Sequence, residues 1–129
     1  MFVLDTNVVS ALMLAELPSP VATWLRVSGP EPPYTTAICQ AEIMLGIARL
    51  PQGRRRAELA RRARLLFEEQ FEMRVLEFTS ASAAVVLESA SLRRAARLPV
   101  SIPDLLIAAL AREHGATLVT RNTRDFEHF

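Results

Sequence analysis

The sequence predicts an α/β fold with a short, mostly parallel sheet flanked by helices. Three observations predict it. Short apolar runs (Phe2–Leu4, Tyr34–Thr36, Val75–Leu76 and Thr117–Val119) alternate with segments that read as helices. Most prolines and glycines fall between these segments or in the first turn of a helix. The chain has 129 residues, half of them hydrophobic, which suits one domain that buries its own core.

Taken in order, Phe2-Val3-Leu4 reads as a buried strand that ends at Asp5. Thr6 or Asn7 can cap a helix from Val8 to about Leu14. Pro20 suits the first turn of a helix through Val21, Ala22, Trp24 and Leu25. Gly29 to Pro33 is a loop, Tyr34-Thr35-Thr36 a strand, and Thr36 caps a helix from about Ala37 to Arg49. Pro51-Gln52-Gly53 breaks it. Arg54 to Glu72 reads as one long charged helix with Leu59, Ala63, Leu66 and Phe67 on one face, so a basic helical arm spans about 49–72. After Val75-Leu76, Ser80 or Ser82 starts a helix to about Arg97. Pro103 opens the helix Asp104 to Glu113, which ends at His114-Gly115. Thr117–Val119 is the last strand, and Thr120 to Phe126 a polar turn.

Composition narrows the chemistry. Cys39 is the single cysteine, so no internal disulfide forms and a reducing compartment is expected. No run approaches the ~20 apolar residues of a membrane helix, and Met1–Leu4 runs into Asp5 without the features of a signal peptide. A cytoplasmic protein is expected. All fifteen basic residues are Arg, which excludes Schiff-base and P-loop lysine chemistry. One Cys and two His (His114, His128) do not make a closed zinc site.

Of the fourteen acids only three are Asp: Asp5, Asp104 and Asp125. Asp5 directly follows strand one, where it fits either a helix cap or a ligand. Ile38, Ala41, Leu45 and Ala48 form an apolar stripe, and Glu42 falls on that inward face. Glu42 is expected either to pair with an Arg or to serve a site. Asp104 lies in the first turn of a nearly all-apolar helix, where the helix dipole favours it in any case. Asp125 sits in the last polar turn, where a solvated Asp is ordinary. In a parallel sheet these positions lie at the carboxyl ends of the strands, where ligands bind. Several carboxylates in one place repel unless protonated or bridged by a hard cation. Mg²⁺ or Mn²⁺ at such a site supports phosphodiester hydrolysis.

Met1-Phe2-Val3-Leu4-Asp5-Thr6-Asn7-Val8-Val9-Ser10 resembles the opening of a PIN-domain protein. Glu42 with Ile43, Gly46 and Ile47, then Pro103-Asp104-Leu105-Leu106-Ile107-Ala108-Ala109, and Thr120-Arg121-Asn122-Thr123-Arg124-Asp125-Phe126 match further motifs in order. Together they resemble the VapC and FitB-like toxin branch across the whole chain. The resemblance implies a single PIN domain over 1–129 with three α/β/α layers. It implies a Mg²⁺- or Mn²⁺-dependent endoribonuclease, the toxin of a type II toxin–antitoxin system, silenced by a cognate VapB-like antitoxin. By the same match Asp5 and Asp104 are metal ligands and Glu42 binds metal directly or through water. Relatives carry an acid at the place of Asn122 or three residues on; here Asp125 is taken as the fourth acid and Asn122 as a hydrogen-bonding residue. Thr6, Asn7 and Thr120 are taken to orient ligands or water. A homodimer and an RNA substrate such as tRNA are implied by resemblance alone. Relatives usually continue past the equivalent of Phe129 into a final short strand, which leaves the sheet's edge open and bears less on the chemistry.

Seven arginines (Arg49, Arg54, Arg55, Arg56, Arg61, Arg62 and Arg64) fall within sixteen residues, opposed only by Glu58. They read either as a solvated helix face or as a basic arm. As an arm, Arg49, Arg54, Arg55, Arg61 and Arg62 would contact RNA phosphates or an acidic antitoxin segment. Arg93, Arg94 and Arg97 form a weaker second cluster. Trp24 reads as core or dimer interface, Met13 and Met44 as packing, and Cys39 as a small buried residue.

Two other classes share an Asp after the first strand: haloacid-dehalogenase-like phosphatases and response-regulator receivers. Both normally rely on a Lys that this chain lacks, and the former on a second Asp where this chain has Asn7. A catalytically inactive PIN-like module that binds nucleic acid or protein remains the alternative to an enzyme.

Overall fold

Val3 and Leu4 are both completely buried in strand β1 (Phe2–Leu4). Neighbouring strand residues point to opposite faces, so this sheet is covered on both sides. The computed structural model describes residues 1–15, 23–25, 27 and 31–129. Strand β2 (Thr35–Thr36) pairs in parallel with β3 (Val75–Leu76), and β1 pairs in parallel with β4 (Thr117–Val119) in the register Phe2–Thr117, Val3–Leu118 and Leu4–Val119. A parallel bridge between Val3 and Tyr34 joins the two pairs, giving the strand order β3-β2-β1-β4.

Two clusters fill the two faces. Leu4 packs with Val8 and Val9 of helix α1 (Thr6–Leu14), Ile43 and Ile47 of α2 (Ala37–Ala48), and Leu59 and Ala63 of α3 (Arg54–Leu65). Val3 packs with Leu76 and with Leu110 of α5 (Ile102–Glu113), with Ile38, Phe78 and Leu118 at its edge. Helix α4 (Ser80–Ala95) lies against α5. The α/β/α layering expected from the sequence is the architecture found. Helix α5 is central: Leu105 and Ile107 to Ala111 are buried. Gly115 ends it with φ +58°, a left-handed turn that costs glycine no steric penalty. Among the described residues no helix is long and apolar enough to cross a membrane.

Several local expectations are corrected. The cap of α1 is Asp5, not Thr6 or Asn7, and the helix starts at Thr6. Helix α4 does start at Ser80, with Thr79 as its cap in a reciprocal box with Ser82, while α5 begins at Ile102 rather than at Pro103, with Ser101 as its cap. The charged helix runs unbroken from Arg54 to Gln70 but changes pitch on the way. The α-helix ends at Leu65 and a π turn follows over Leu66–Gln70, closed by the Phe71 N–H to Leu66 carbonyl bond at 2.9 Å. The extra residue per turn brings Phe71 onto the buried face beside Leu66 and Phe67, and the Phe67 and Phe71 rings stack at 6.2 Å.

The inward face of α2 is Cys39, Ile43 and Ile47; Ala41, Leu45 and Ala48 are exposed. This helix is apolar nearly all round, so periodicity alone does not choose its face. Met44, read as packing, is likewise exposed. The helix expected from Pro20 to Leu25 lies largely outside the described residues. Trp24 within it meets the Phe2 ring edge-on at 4.8 Å and packs against the core.

Candidate active site

Asp5 stands where β1 stops. Its N–H donates to the Val119 carbonyl at 2.9 Å, carrying the β1–β4 pairing one residue past the strand. Its extended backbone then lets the side chain turn back as the cap of α1. Oδ1 accepts from the Thr6 N–H at 2.7 Å and Oδ2 from the Thr120 hydroxyl at 2.8 Å. The residue is only 5% exposed. Cap and candidate ligand are therefore one side chain with both oxygens directed. Burial pushes the Asp5 carboxyl above its usual range, the Thr120 and Thr6 bonds pull it back, and the charges of Asp104 and Asp125 push it up again.

Glu42 reaches the same place from α2. Its Oε1 accepts from the Thr6 hydroxyl at 2.7 Å. Thr6 thus joins the two acids, amide to Asp5 and hydroxyl to Glu42. Burial raises the Glu42 carboxyl, the Thr6 bond lowers it, and Asp5 and Asp104 raise it. Glu42 is half-buried at the edge of the packed face rather than on the stripe read from the sequence, and it pairs with Thr6 rather than with an Arg.

Asp104 lies in the first turn of α5, its N–H bonded to the Ser101 hydroxyl at 3.3 Å. Asp125 lies in a 3₁₀ turn, Thr123–Phe126, where its N–H donates to the Asn122 carbonyl at 3.0 Å. The Asn122 N–H donates to Thr120 Oγ1 at 3.0 Å, so the Thr120 hydroxyl accepts from one neighbour and donates to Asp5. Asn7 Oδ1 accepts from the Arg121 N–H at 3.2 Å and ties α1 to the same loop. Four acids from four separate segments are thus brought to the carboxyl edge of the sheet. It is Asp125 whose charge bears on Asp5, while Asn122 contributes backbone bonds to the turn.

Beneath the site Cys39 is fully buried, accepting from the Thr36 hydroxyl at 3.2 Å. Burial pushes its thiol up, so it stays protonated packing, as the sequence implied.

Among the described residues no three Cys, His, Asp or Glu side chains converge closely enough to enclose an ion. The donor set is nevertheless all oxygen, and Asp5 and Glu42 both feel neighbouring negative charge. A hard divalent cation suits that chemistry, because Mg²⁺ keeps several waters and takes only one or two carboxylates directly.

The basic arm divides in two. Glu58 accepts from Arg61 Nη2 at 2.8 Å and Arg62 Nε at 3.1 Å, and these bonds hold its carboxyl at about 2. Arg54, Arg55 and Arg56 open α3, at the end of the helix dipole that disfavours cations, and Gly53 offers no side-chain cap. Arg55 lines a cavity of about 260 Å³ together with Thr6, Ser10, Glu42 and Leu50. The sequence marked Arg55 only as one of a run; its place beside Glu42 needed the α2–α3 packing. Arg49, Arg54 and Arg55 are exposed and have no acidic partner among the described residues. Arg93 differs from the surface cluster expected of it. It is buried, while Arg94 and Arg97 are exposed.

The PIN domain family model matches residues 2–129. The chain is 35% identical over 127 residues to plasmid stability protein StbB of Pseudomonas syringae pv. tomato. It is 32% identical over 126 residues to Toxin FitB of Neisseria gonorrhoeae and 33% over 127 residues to VapC ribonuclease Y4jK of Sinorhizobium fredii. Each alignment covers 98% of this chain and 91% of the relative. The solved structure of FitAB bound to an IR36 DNA fragment superposes with a TM-score of 0.82 at 34% identity, covering 98% of this chain and 88% of that one. With its length matched almost end to end and relatives above 30% identity over the same span, the chain belongs to the PIN-domain family.

Proposed function

We propose that this chain is a Mg²⁺- or Mn²⁺-dependent endoribonuclease acting as the toxin of a toxin–antitoxin pair in the cytoplasm. The observation that carries the reading is the meeting of Asp5 and Glu42 on Thr6, with the charges of Asp104 and Asp125 bearing on Asp5. Relatives named as a VapC ribonuclease and as Toxin FitB support the activity and the biological role. The FitAB likeness supports a cognate antitoxin. A homodimer is part of the same proposal.

Asp5, Glu42, Asp104 and Asp125 would hold the cation directly or through water. Bound there, it supplies positive charge to a phosphodiester and to the water that attacks it. The protein's own part is positioning. Thr6 and Thr120 direct the Asp5 oxygens and keep Glu42 beside them. Asn7 holds the Thr120–Asp125 loop against α1. Arg55, beside Glu42, would hold a flanking RNA phosphate, with Arg49, Arg54, Arg61 and Arg62 extending the track. In the overall hydrolysis a water oxygen bonds to phosphorus and the bond to the 3′ oxygen breaks. The water's proton ends on that oxygen, leaving a 3′-hydroxyl and a 5′-phosphate.

The test is cleavage of total cellular RNA, tRNA included, by the purified protein with Mg²⁺, with Mn²⁺ and with EDTA, beside Asp104→Asn. Cutting at discrete sites that needs the cation and Asp104 is expected. Cutting that persists unchanged in the variant, or none at all, would overturn the nuclease reading in favour of a binding module.

A further inference from the structure

We propose that Arg93 is a positioning residue that sets the separation of Asp104 and Asp125; the inference deepens the cation-site reading above and rests on it. Arg93 lies on α4, is 4% exposed and has no carboxylate partner among the described residues. A buried cation without a counter-ion is costly unless hydrogen bonds replace its water. Here three backbone carbonyls take the two Nη groups, while the buried Nε has no hydrogen-bond partner among the described residues. Nη1 donates to the carbonyls of Arg124 at 3.1 Å and Glu127 at 2.9 Å, and Nη2 donates to that of Pro99. The Phe129 ring covers the guanidinium at 5.2 Å.

The partners have a specific placement. Arg124 and Glu127 bracket Asp125, while Pro99 lies in the stretch that enters α5 just ahead of Ser101 and Asp104. One planar fork therefore grips both segments that bring acids to the site. None of these bonds touches Asp5 or Glu42, which are held by Thr6 and Thr120 instead. The site thus has two frames. Strand β1 and helices α1 and α2 hold Asp5 and Glu42, and Arg93 ties the Asp125 turn, itself joined to Asp5 through Thr120, to the segment that enters α5. Lysine could keep the charge but not the fork geometry.

The test uses the full chain with Mn²⁺ alone as the probe. Arg93→Lys and Arg93→Met are compared with the wild type for Mn²⁺ affinity and for amide exchange at Asp125 and Asp5. Both variants are expected to weaken Mn²⁺ binding roughly tenfold or more. Exchange at Asp125 should accelerate while exchange at Asp5 is unchanged, and Arg94→Met should leave all three readouts unaltered. A folded Arg93→Met with wild-type affinity and wild-type exchange at Asp125 would overturn the proposal. So would equal acceleration at Asp5 and Asp125, which marks a role in global stability only. Should Arg93→Met not fold, Arg93→Lys decides by the same readouts. If the wild type binds no Mn²⁺, the cation reading itself has failed, and the exchange comparison alone decides whether Arg93 positions the Asp125 turn.

Discussion

The Thr120 hydroxyl lies 2.8 Å from Asp5 Oδ2, joining the residue after the last strand to the residue after the first. The parallel β1–β4 pairing makes this meeting possible, because both strands deliver their carboxyl ends to the same edge. Thr120→Val keeps the shape and removes the donor. A hydrogen bond to a charged group is worth about 1.5–3 kcal/mol, so the variant should lose about 2 kcal/mol in denaturant unfolding at neutral pH. Its RNA cleavage should fall with it. Unchanged stability would mean that Asp5 does not depend on this bond.

Asp5 and Glu42 are both held above their usual carboxyl range, chiefly by burial. The folded state therefore binds their protons more tightly than the unfolded chain does. Their contribution to stability is full below the unfolded carboxyl values near 4 and is lost as pH rises through the raised folded values. In EDTA, melting temperatures of Asp5→Asn and Glu42→Gln should approach or exceed the wild type at neutral pH and lose that advantage at acidic pH. Asparagine keeps the helix cap through one oxygen, while its amide NH2 replaces the oxygen that accepts from Thr120. Adding Mg²⁺ should then stabilise the wild type more than either variant; a difference in the opposite sense would count against a cation site.

Arg61 and Arg62 are engaged by Glu58, whereas Arg55 opens onto the Glu42 cavity. Removing Arg55 should weaken RNA binding more than removing Arg61. A lost phosphate contact lowers the dependence of log K on log salt by about 0.7 for single strands. Arg55→Gln should show that reduction in a salt titration, and Arg61→Gln a smaller one. Equal effects would assign the whole arm to diffuse attraction.

Leu110 is wholly buried, and Met44 is 58% exposed. Leu110→Ala should cost about 2–5 kcal/mol, while Met44→Ser should change stability by no more than about 0.5 kcal/mol. Urea unfolding of the two variants checks that α5 is central and that the Met44 face of α2 is exposed.

The alternation of short apolar runs with helical segments was enough to read an α/β fold, because strand and helix periods differ and the turns carry Pro and Gly. All four strands were legible in this way, as were Thr36 as a cap and Asp5, Asp104 and Asp125 as the only aspartates, each following an apolar or motif-bearing stretch. The face of α2 was not legible. A helix apolar nearly all round has no preferred inside until its neighbours are placed, so Ala41, Leu45 and Ala48 of the expected inward stripe are exposed and Glu42 sits at the edge of the packed face. The cap of α1 fell to Asp5, which the sequence offered beside Thr6 and Asn7, since Ser, Thr, Asn and Asp compete for that position on nearly equal terms. Arg93 was hidden for a related reason. In the sequence it is one cation among three, and only the packing of the C-terminal turn and of the stretch before α5 against α4 gives it three carbonyl partners. Residue types and local spacing are properties of one segment at a time. Which side chains meet across segments is decided by packing, and the bonds from Thr6 to Glu42, Thr120 to Asp5 and Arg93 to the Asp125 turn belong to that second kind.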